Sequence, residues 1–519
     1  MNQVAVYVDG QTKLFEVESG VLLSELLQKE RLSFSMPCAG NHTCGKCKVK
    51  GFGAFSAPTP DELKFLNENE RRGGVRLACF AKIEGDCQIF LEKKQEGSAI
   101  LSQTGTAVYR VNPRWIDGYG LAVDVGTTTV VVYLYRFLDG ELLCVRSGMN
   151  AQRGFGADVI SRINYCNENG LASLQEAIVS QLNRMIAEAL SAVGASPETL
   201  KEIVIAGNTT MLHLLTGLDP YGIAVYPFTP VSLFGNELKP GFFKAAPSAR
   251  VYLPGCISSY VGGDITCSIL ASGMTGQKAA LLLDLGTNGE MALWYHDKFY
   301  CCSTAAGPAF EGAGMQMGMT AVDGAVSKVW EENGEVRYSV LGEDVPAGIC
   351  GSGIIDAVCV FVRLGLIDDT GRIDEEQESY ARYGTEFGGF PALKIGDSGV
   401  LITQQDIRQL QLAKSAVAAG ISTLLHESGC EMEEVEALYL AGGFGTYISV
   451  ESAVGIGLFP AELKEKVRSI GNGAGAGASI LLLDRDAEKQ EKAVREAAQE
   501  VNLSSNPVFM DHYVEQMMF

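Results

Sequence analysis

The sequence predicts a multidomain chain: a small N-terminal α+β module followed by a larger, duplicated α/β part. Charge is divided between the two. Residues 1–97 hold 13 basic and 13 acidic side chains, so the whole formal net charge of −21 falls on the remainder of the 519 residues. Cysteine is divided as well: five of the 14 lie in the first 87 residues, three of them within ten positions. The third observation is a pattern that occurs twice. GLAVDVGTTTVVVYLY (120–135) and ALLLDLGTNGEMALWY (280–295) share strand, Asp-x-Gly-Thr and strand, and each is followed by a β-run ending in Ala-Gly, IVIAGNTTM (203–211) and LYLAGGFGT (438–446). Matching elements in matching order predict two copies of one fold with a cleft between them.

The elements justify themselves in order. VAVYV (4–8) and KLFEVE (13–18) flank Asp9-Gly10, which predicts a hairpin. Ser24 to Lys29 suits a short helix, and IFLE (89–92) a closing strand. Residues 97–115 read as a linker with some extended structure, and from 120 onward strand, glycine turn, strand and helix alternate as in an α/β domain.

Composition excludes some functions. An excess of 62 acidic over 41 basic side chains argues against nucleic acid or an anionic membrane surface as the main partner. No basic segment followed by an apolar one opens the chain, and no uncharged apolar run is long enough to span a bilayer. A soluble cytoplasmic protein is expected, in which cysteines serve as buried apolar groups, metal ligands or redox groups rather than disulfides.

PCAGNHTCGKCKV spaces Cys38, Cys44 and Cys47 as C-x5-C-x2-C, and Cys79 follows in RLACF. Four thiolates drawn from a loop and a distant segment suit an iron–sulfur cluster, and plant-type ferredoxins use a related spacing. Gly40 and Gly45 let backbone N–H groups approach sulfur. Zinc would call for two C-x2–4-C pairs, and here the fourth cysteine stands alone. Cys87 is the rival fourth ligand, but its alternating strand context suits a core thiol; His42 reads as a loop residue. GNHTCGKC nearly matches a phosphate loop, yet Cys47 replaces the magnesium-binding hydroxyl and no strand leads in. The segment resembles the [2Fe-2S] ferredoxins with a C-x5-C-x2-C loop, which implies a β-grasp ferredoxin domain over 1–95 with Cys38, Cys44, Cys47 and Cys79 as ligands.

A strand ending in Asp-x-Gly-Thr sets a carboxylate beside a tight turn whose N–H and hydroxyl groups face outward. Phosphate oxygens want such donors, and Mg²⁺ with its waters wants the carboxylate. Asp124, Gly126, Thr127 and Thr128 form one such turn; Asp284, Gly286, Thr287, Asn288 and Gly289 form the other. Asp124 and Asp284 are the candidate catalytic carboxylates. Gly442, Gly443 and Gly445 follow a short apolar strand and leave room for a flat adenine or ribose, and Glu311 in GPAFEG suits a ribose hydroxyl; structural turns explain these glycine-rich stretches equally well. Asp264, in GGDIT, reads equally as a cleft residue or a turn former. Residues 118–485 resemble the acetate/sugar kinase–Hsp70–actin superfamily, which implies two ribonuclease-H-like (actin-like ATPase) subdomains, Mg-ATP in the cleft and closure coupled to hydrolysis.

Taken whole, the chain resembles the reductive activators of corrinoid-dependent methyltransferases. NAQRGFGADVISRI (150–163), VGGDITCSIL (261–270), GPAFEGAGMQMGM and YLAGGFGTYI carry that resemblance together with the cysteine set and the two phosphate turns. It implies a ferredoxin-like domain over 1–95, a linker over 96–117, a middle region or first half over 118–207, and a C-terminal ATPase domain over 208–519. It implies ATP-dependent one-electron reduction of inactive Co(II) to Co(I) through the [2Fe-2S] cluster, with ATP and Mg²⁺ as further cofactors. The partners it implies are a corrinoid protein and an upstream low-potential electron donor; the sequence itself leaves the oligomeric state open, a homodimer included. The chain lacks a D-x-H-x-x-G cobalamin signature, Asp511-His512 having the wrong spacing, so the corrinoid is expected on the partner. The alternatives are an activator of a 2-hydroxyacyl-CoA dehydratase, against which the four-cysteine set speaks, and a nucleotide-sensing redox regulator.

Overall fold

The computed structural model describes residues 2–8, 11–30, 32, 34, 36, 42, 45, 47–66, 68–91, 110–342, 345–445 and 447–519. Asp9, Gly10, Cys38, Gly40 and Cys44, and the linker as far as residue 109, lie outside them.

Five strands make the N-terminal sheet: β1 (Asn2–Val8), β2 (Gln11–Val17), β3 (Lys48–Phe55), β4 (Val75–Leu77) and β5 (Ile83–Phe90), in the order β2-β1-β5-β3-β4. Val8 pairs with Gln11, so only two residues connect the antiparallel β1 and β2, as the hairpin reading requires. β5 runs parallel to β1, a pairing that needs a long crossover, and α1 (Leu23–Lys29) lies on it. Leu23, Leu26 and Leu27 share one face of α1 and pack on Val4, Val6, Ile83 and Ile89. The short helices α2 (Pro60–Leu63) and α3 (Glu68–Arg72) precede β4.

The duplication is real in three dimensions. In the first half β6 (Tyr119–Val125), β7 (Thr129–Arg136) and β8 (Glu141–Met149) form an antiparallel meander; α4 (Val159–Asn169) and α5 (Ala172–Ala192) then lead to β9 (Leu200–Gly207), which returns parallel to β6. After α6 (Thr209–Thr216) and α7 (Tyr221–Ala224), β10 (Asn236–Glu237) and β11 (Arg250–Leu253) complete the order β10-β11-β9-β6-β7-β8. Helix α8 (Gly263–Ser272) leads into the second half. There β12 (Ala279–Leu285), β13 (Gly289–Tyr295) and β14 (Lys298–Thr304) repeat the meander.

An insertion follows: β15 (Ala325–Glu332), β16 (Glu335–Val340), β17 (Gly348–Ile349), α9 (Gly351–Arg363), α10 (Tyr380–Tyr383), β18 (Gly384–Phe387), β19 (Phe390–Lys394) and β20 (Leu401–Thr403). Helix α11 (Gln404–Ser428) brings the chain back to β21 (Ala437–Ala441), α12 (Gly442–Gly445), α13 (Val450–Gly455), β22 (Val467–Gly471) and α14 (Gly473–Leu483). The chain then finishes with α15 (Ala487–Ala497), β23 (Ala498–Glu500) and α16 (Pro507–Glu515). The second sheet runs β22-β21-β12-β13-β14-β23: its first five strands repeat β11-β9-β6-β7-β8 of the first sheet, while β10 extends one edge of the first sheet and β23 the opposite edge of the second. Asp124 stands opposite Ala206 and Asp284 opposite Ala441, so the two sequence echoes are neighbours at equivalent strand ends. The border expected at 207/208 falls inside the first sheet, because β11 pairs parallel with β9.

Two helices lie between the sheets. The α14 face packs on Ala122, Val131 and Tyr133 of the first sheet, and Ile265 and Ile269 of α8 pack on Ala280 and Leu282 of the second. The two helices meet closely because α14 begins GAGAGAS: a Cβ at Gly473 would stand 2.6 Å from the Ser268 hydroxyl, and one at Gly477 would overlap the Cys267 backbone. Alternate strand residues (Leu121, Val123, Val125) face outward onto α5 and α6. Among the described residues no helix is long and apolar enough to cross a membrane.

Candidate functional site

Of the four candidate cluster ligands, Cys47 and Cys79 are described, and their sulfurs lie 3.3 Å apart, both buried. Two thiolates about 2.3 Å from one tetrahedral metal stand roughly 3.7 Å apart, so this pair fits a shared iron after a small adjustment. The Cys79 thiol, by hydrogen bonding the Cys47 thiolate, pulls the Cys47 thiol down to about 7 against the opposing effect of burial. Cys87 is different: burial, with the Asp86 charge, pushes its thiol up to about 11, and it packs in the domain core. The strand before Cys79 is fixed by a buried fork-to-fork pair. Arg76 Nε and Nη2 each donate to a Glu62 oxygen at 2.9 Å, and Glu62 also accepts from the Leu77 N–H. His42 is a loop residue, φ +61°, whose Nε2 meets the Cys79 carbonyl oxygen at 2.9 Å.

The second candidate site lies where the strands of both halves end at their carboxyl edges, the usual place for ligands in such sheets. In the first turn the Gly126 N–H donates to the Thr129 carbonyl, and a Cβ at Gly126 would stand 2.8 Å from that oxygen. In the second, the Gly286 N–H donates to the Asn288 carbonyl and Gly289 opens β13. The turns face each other closely enough for one side chain to touch both: Thr128 Oγ1 donates to Glu311 at 3.1 Å and Thr287 Oγ1 to the same carboxylate at 2.9 Å. Glu311, expected at a ribose hydroxyl, thus sits between the phosphate turns. Gly442 has φ +86°, and a Cβ there would stand 2.8 Å from an Asp284 oxygen, so α12 and the second turn crowd together. Gly443 and Gly445 belong to the same helical turn.

Three half-buried carboxylates line the floor: Asp124, Asp284 and Asp264. Burial pushes Asp124 up to about 7, eased by a hydrogen bond from Asn472 Nδ2 at 2.9 Å and reinforced by the Asp264 charge. Burial, then the charges of Asp264 and Asp124, push Asp284 up to about 7; burial raises Asp264 to about 6. Glu290, hydrogen-bonded to Asn288, is raised by burial and by Asp264 and Asp284. Four acids raised together want a cation. Among the described residues no three acidic, thiol or imidazole groups stand close enough to enclose one directly.

Sequence reasoning named the turns but missed their supports. Asn208 Nδ2 donates to Thr127 Oγ1 at 3.0 Å, and Asn150 Nδ2 to the Gly126 carbonyl at 2.8 Å. The buried Arg162 guanidinium donates to the Thr127 carbonyl at 2.6 Å, and burial brings it down to about 9. A usable signal existed for Asn208 and for Asn472, the support of Asp124. Asn208 and Asn472 each follow a strand and a glycine and each caps the next helix, in AGNTT and IGNGAG. Beyond the cleft, Gln28 Nε2 of the N-terminal domain donates to the Gly154 carbonyl at 2.7 Å, in the segment that follows Asn150.

Comparison with known proteins divides the chain the same way. Residues 6–84 match the 2Fe-2S iron-sulfur cluster binding domain, residues 119–277 the RACo middle region, and residues 278–519 the C-terminal domain of RACo, the ASKHA domain. The chain is 38% identical over 420 residues to the corrinoid activation enzyme RamQ of Eubacterium limosum, covering 77% of this chain and 70% of that protein. It is 24% identical to a [Co(II) methylated amine-specific corrinoid protein] reductase of Methanosarcina barkeri, over 77% of each. A solved reductive activator for corrinoid, iron-sulfur protein superposes over 100% of this chain and 98% of its own, with a TM-score of 0.71 and 28% identity.

Proposed function

We propose that this chain, which belongs to the RACo family of reductive activators of corrinoid proteins, uses ATP to return a corrinoid protein's inactive Co(II) to Co(I). The observation that carries this reading is one chain holding both a convergent thiol pair, Cys47 and Cys79, and a two-sided cleft whose turns face each other across Glu311. Cys38, Cys44, Cys47 and Cys79 hold the [2Fe-2S] cluster, which when bound supplies the single electron. Asp124 and Asp284 are the catalytic carboxylates; with Asp264 they hold Mg²⁺ through its waters, since Mg²⁺ keeps several of them. Thr127, Thr128, Thr287, Asn288 and Gly289 donate to phosphates, Gly126 and Gly286 shape the turns that present them, their own N–H groups closing those turns, and Gly442, Gly443 and Gly445 border the adenosine. We place the border between the halves at 277/278, where the two family matches meet.

The partners are a corrinoid protein carrying the cobalt, a low-potential electron donor and, in the cytoplasm, a second copy of the chain. A redox regulator that binds ATP without turnover would also need both modules. ATP hydrolysis measured with and without a Co(II) corrinoid protein separates the two: an activator hydrolyses ATP faster with its partner present, a sensor does not hydrolyse it at all.

The raised carboxyls set a pH dependence. A cation needs them ionised, so binding Mg-nucleotide releases protons and weakens as pH falls through about 7 at Asp124 and Asp284 and about 6 at Asp264. Titration calorimetry should give tighter binding at about pH 7.5 than at about pH 5.5, with proton release in the acidic range; a flat profile would detach these carboxylates from the cation.

A further inference from the structure

We propose that Glu311 is an internal stand-in for phosphate, a carboxylate that holds the hydroxyl donors of both turns until a nucleotide's phosphates displace it. The proposal rests on the nucleotide reading of the cleft. A threonine hydroxyl has one proton to donate. Thr128 gives its proton to one Glu311 oxygen at 3.1 Å, across the boundary between the halves, and Thr287, in the same half as Glu311, gives its own to the other at 2.9 Å. While both bonds stand, neither hydroxyl is available to a phosphate oxygen. A carboxylate among phosphates and three other acids is also repelled by them, so occupancy and the bridge exclude each other.

The local backbone suits a group that moves. Glu311 ends a single helical turn, Pro308–Glu311, set between two glycines with left-handed φ, Gly307 at +75° and Gly312 at +73°. Gly312 is pinned, since a Cβ there would overlap the Met319 backbone, whereas Gly307 has open space around it. A cation lies nearby: burial lowers the Arg153 guanidinium, and the charge of Glu311 partly offsets that. Arg153 precedes Gly154, whose carbonyl accepts from Gln28 of the N-terminal domain, so the segment facing Glu311 also touches the cluster-bearing module.

The test compares full-length wild type, E311Q and E311D, each loaded with its cluster, for affinity toward Mg-ATP, Mg-ADP and adenosine. E311Q keeps the shape without the charge and is expected to bind Mg-ATP about tenfold tighter or more, and Mg-ADP tighter as well, with adenosine unchanged. E311D, one methylene shorter, spans the two hydroxyls poorly and is expected between the wild type and E311Q. Unchanged or weaker Mg-ATP binding in E311Q overturns the proposal, as does an equal gain for adenosine, which would mark a general loosening. If E311Q loses the wild-type cluster spectrum or melting temperature, E311D decides alone: ATP-selective tightening supports the proposal and its absence overturns it. If the wild type binds no nucleotide, the reading of the cleft falls and this proposal with it; if it binds and E311Q is no tighter, only the proposal falls.

Discussion

Serine at Cys47 or at Cys79 is expected to abolish the visible absorbance of the iron–sulfur cluster and the one-electron transfer with it, while ATP hydrolysis by the same protein persists. The two sulfurs are 3.3 Å apart in a buried site, and the Cys47 thiol is already pulled down to about 7, so Cys47 gives up its proton readily to a metal. A serine hydroxyl in that place stays protonated and is a poor ligand for iron. Cys38 and Cys44 are expected to behave alike. Cys87→Ser is the control: that thiol is pushed up to about 11 by burial and packs in the core, so its loss should leave the spectrum intact at some expense of stability. An unchanged spectrum in Cys47→Ser would mean that the ligand set is wrong.

The second large effect belongs to the cleft. Asp284→Ala and Asp124→Ala are each expected to lower ATP turnover about 10²-fold or more, the size seen when one preorganised electrostatic contributor is removed, with the cluster spectrum unchanged. Stability should move the other way. Asp284 is held up near 7 by burial and by two like-charged neighbours, Asp264 and Asp124, so Asp284→Asn relieves repulsion in the nucleotide-free protein. Its melting temperature at pH 7.5 and above, where the wild-type group is ionised, should be equal to or higher than the wild type's. Loss of turnover together with a marked loss of melting temperature would instead make Asp284 a structural residue.

These two sites differ in how far a sequence can announce them. The cysteine spacing and the paired Asp-x-Gly-Thr turns are local patterns, set by what a thiolate cluster and a strand-end turn require; among the described residues, Cys47 meets Cys79 and the two turns meet across Glu311. The pairing of Asp124 with Ala206 and of Asp284 with Ala441 repeats the echo of Ala-Gly in three dimensions. What stayed hidden is what closes the cleft across long stretches of chain. Asn472 reaches Asp124 from the second half, and Glu311 reaches Thr128 in the first. Neither contact has a periodicity, because each depends on how the two copies meet around α8 and α14. The border expected after residue 207 meets the same limit, since nothing local in RVYL signals that β11 returns beside β9.

The central claim is that one protein couples ATP to delivery of a low-potential electron to a corrinoid. The reduced full-length protein, mixed with a corrinoid protein in its Co(II) state, should generate Co(I) absorbance when Mg-ATP is added and little or none without it. Co(I) that forms to the same extent with and without ATP, or never forms with any corrinoid protein supplied, would contradict it.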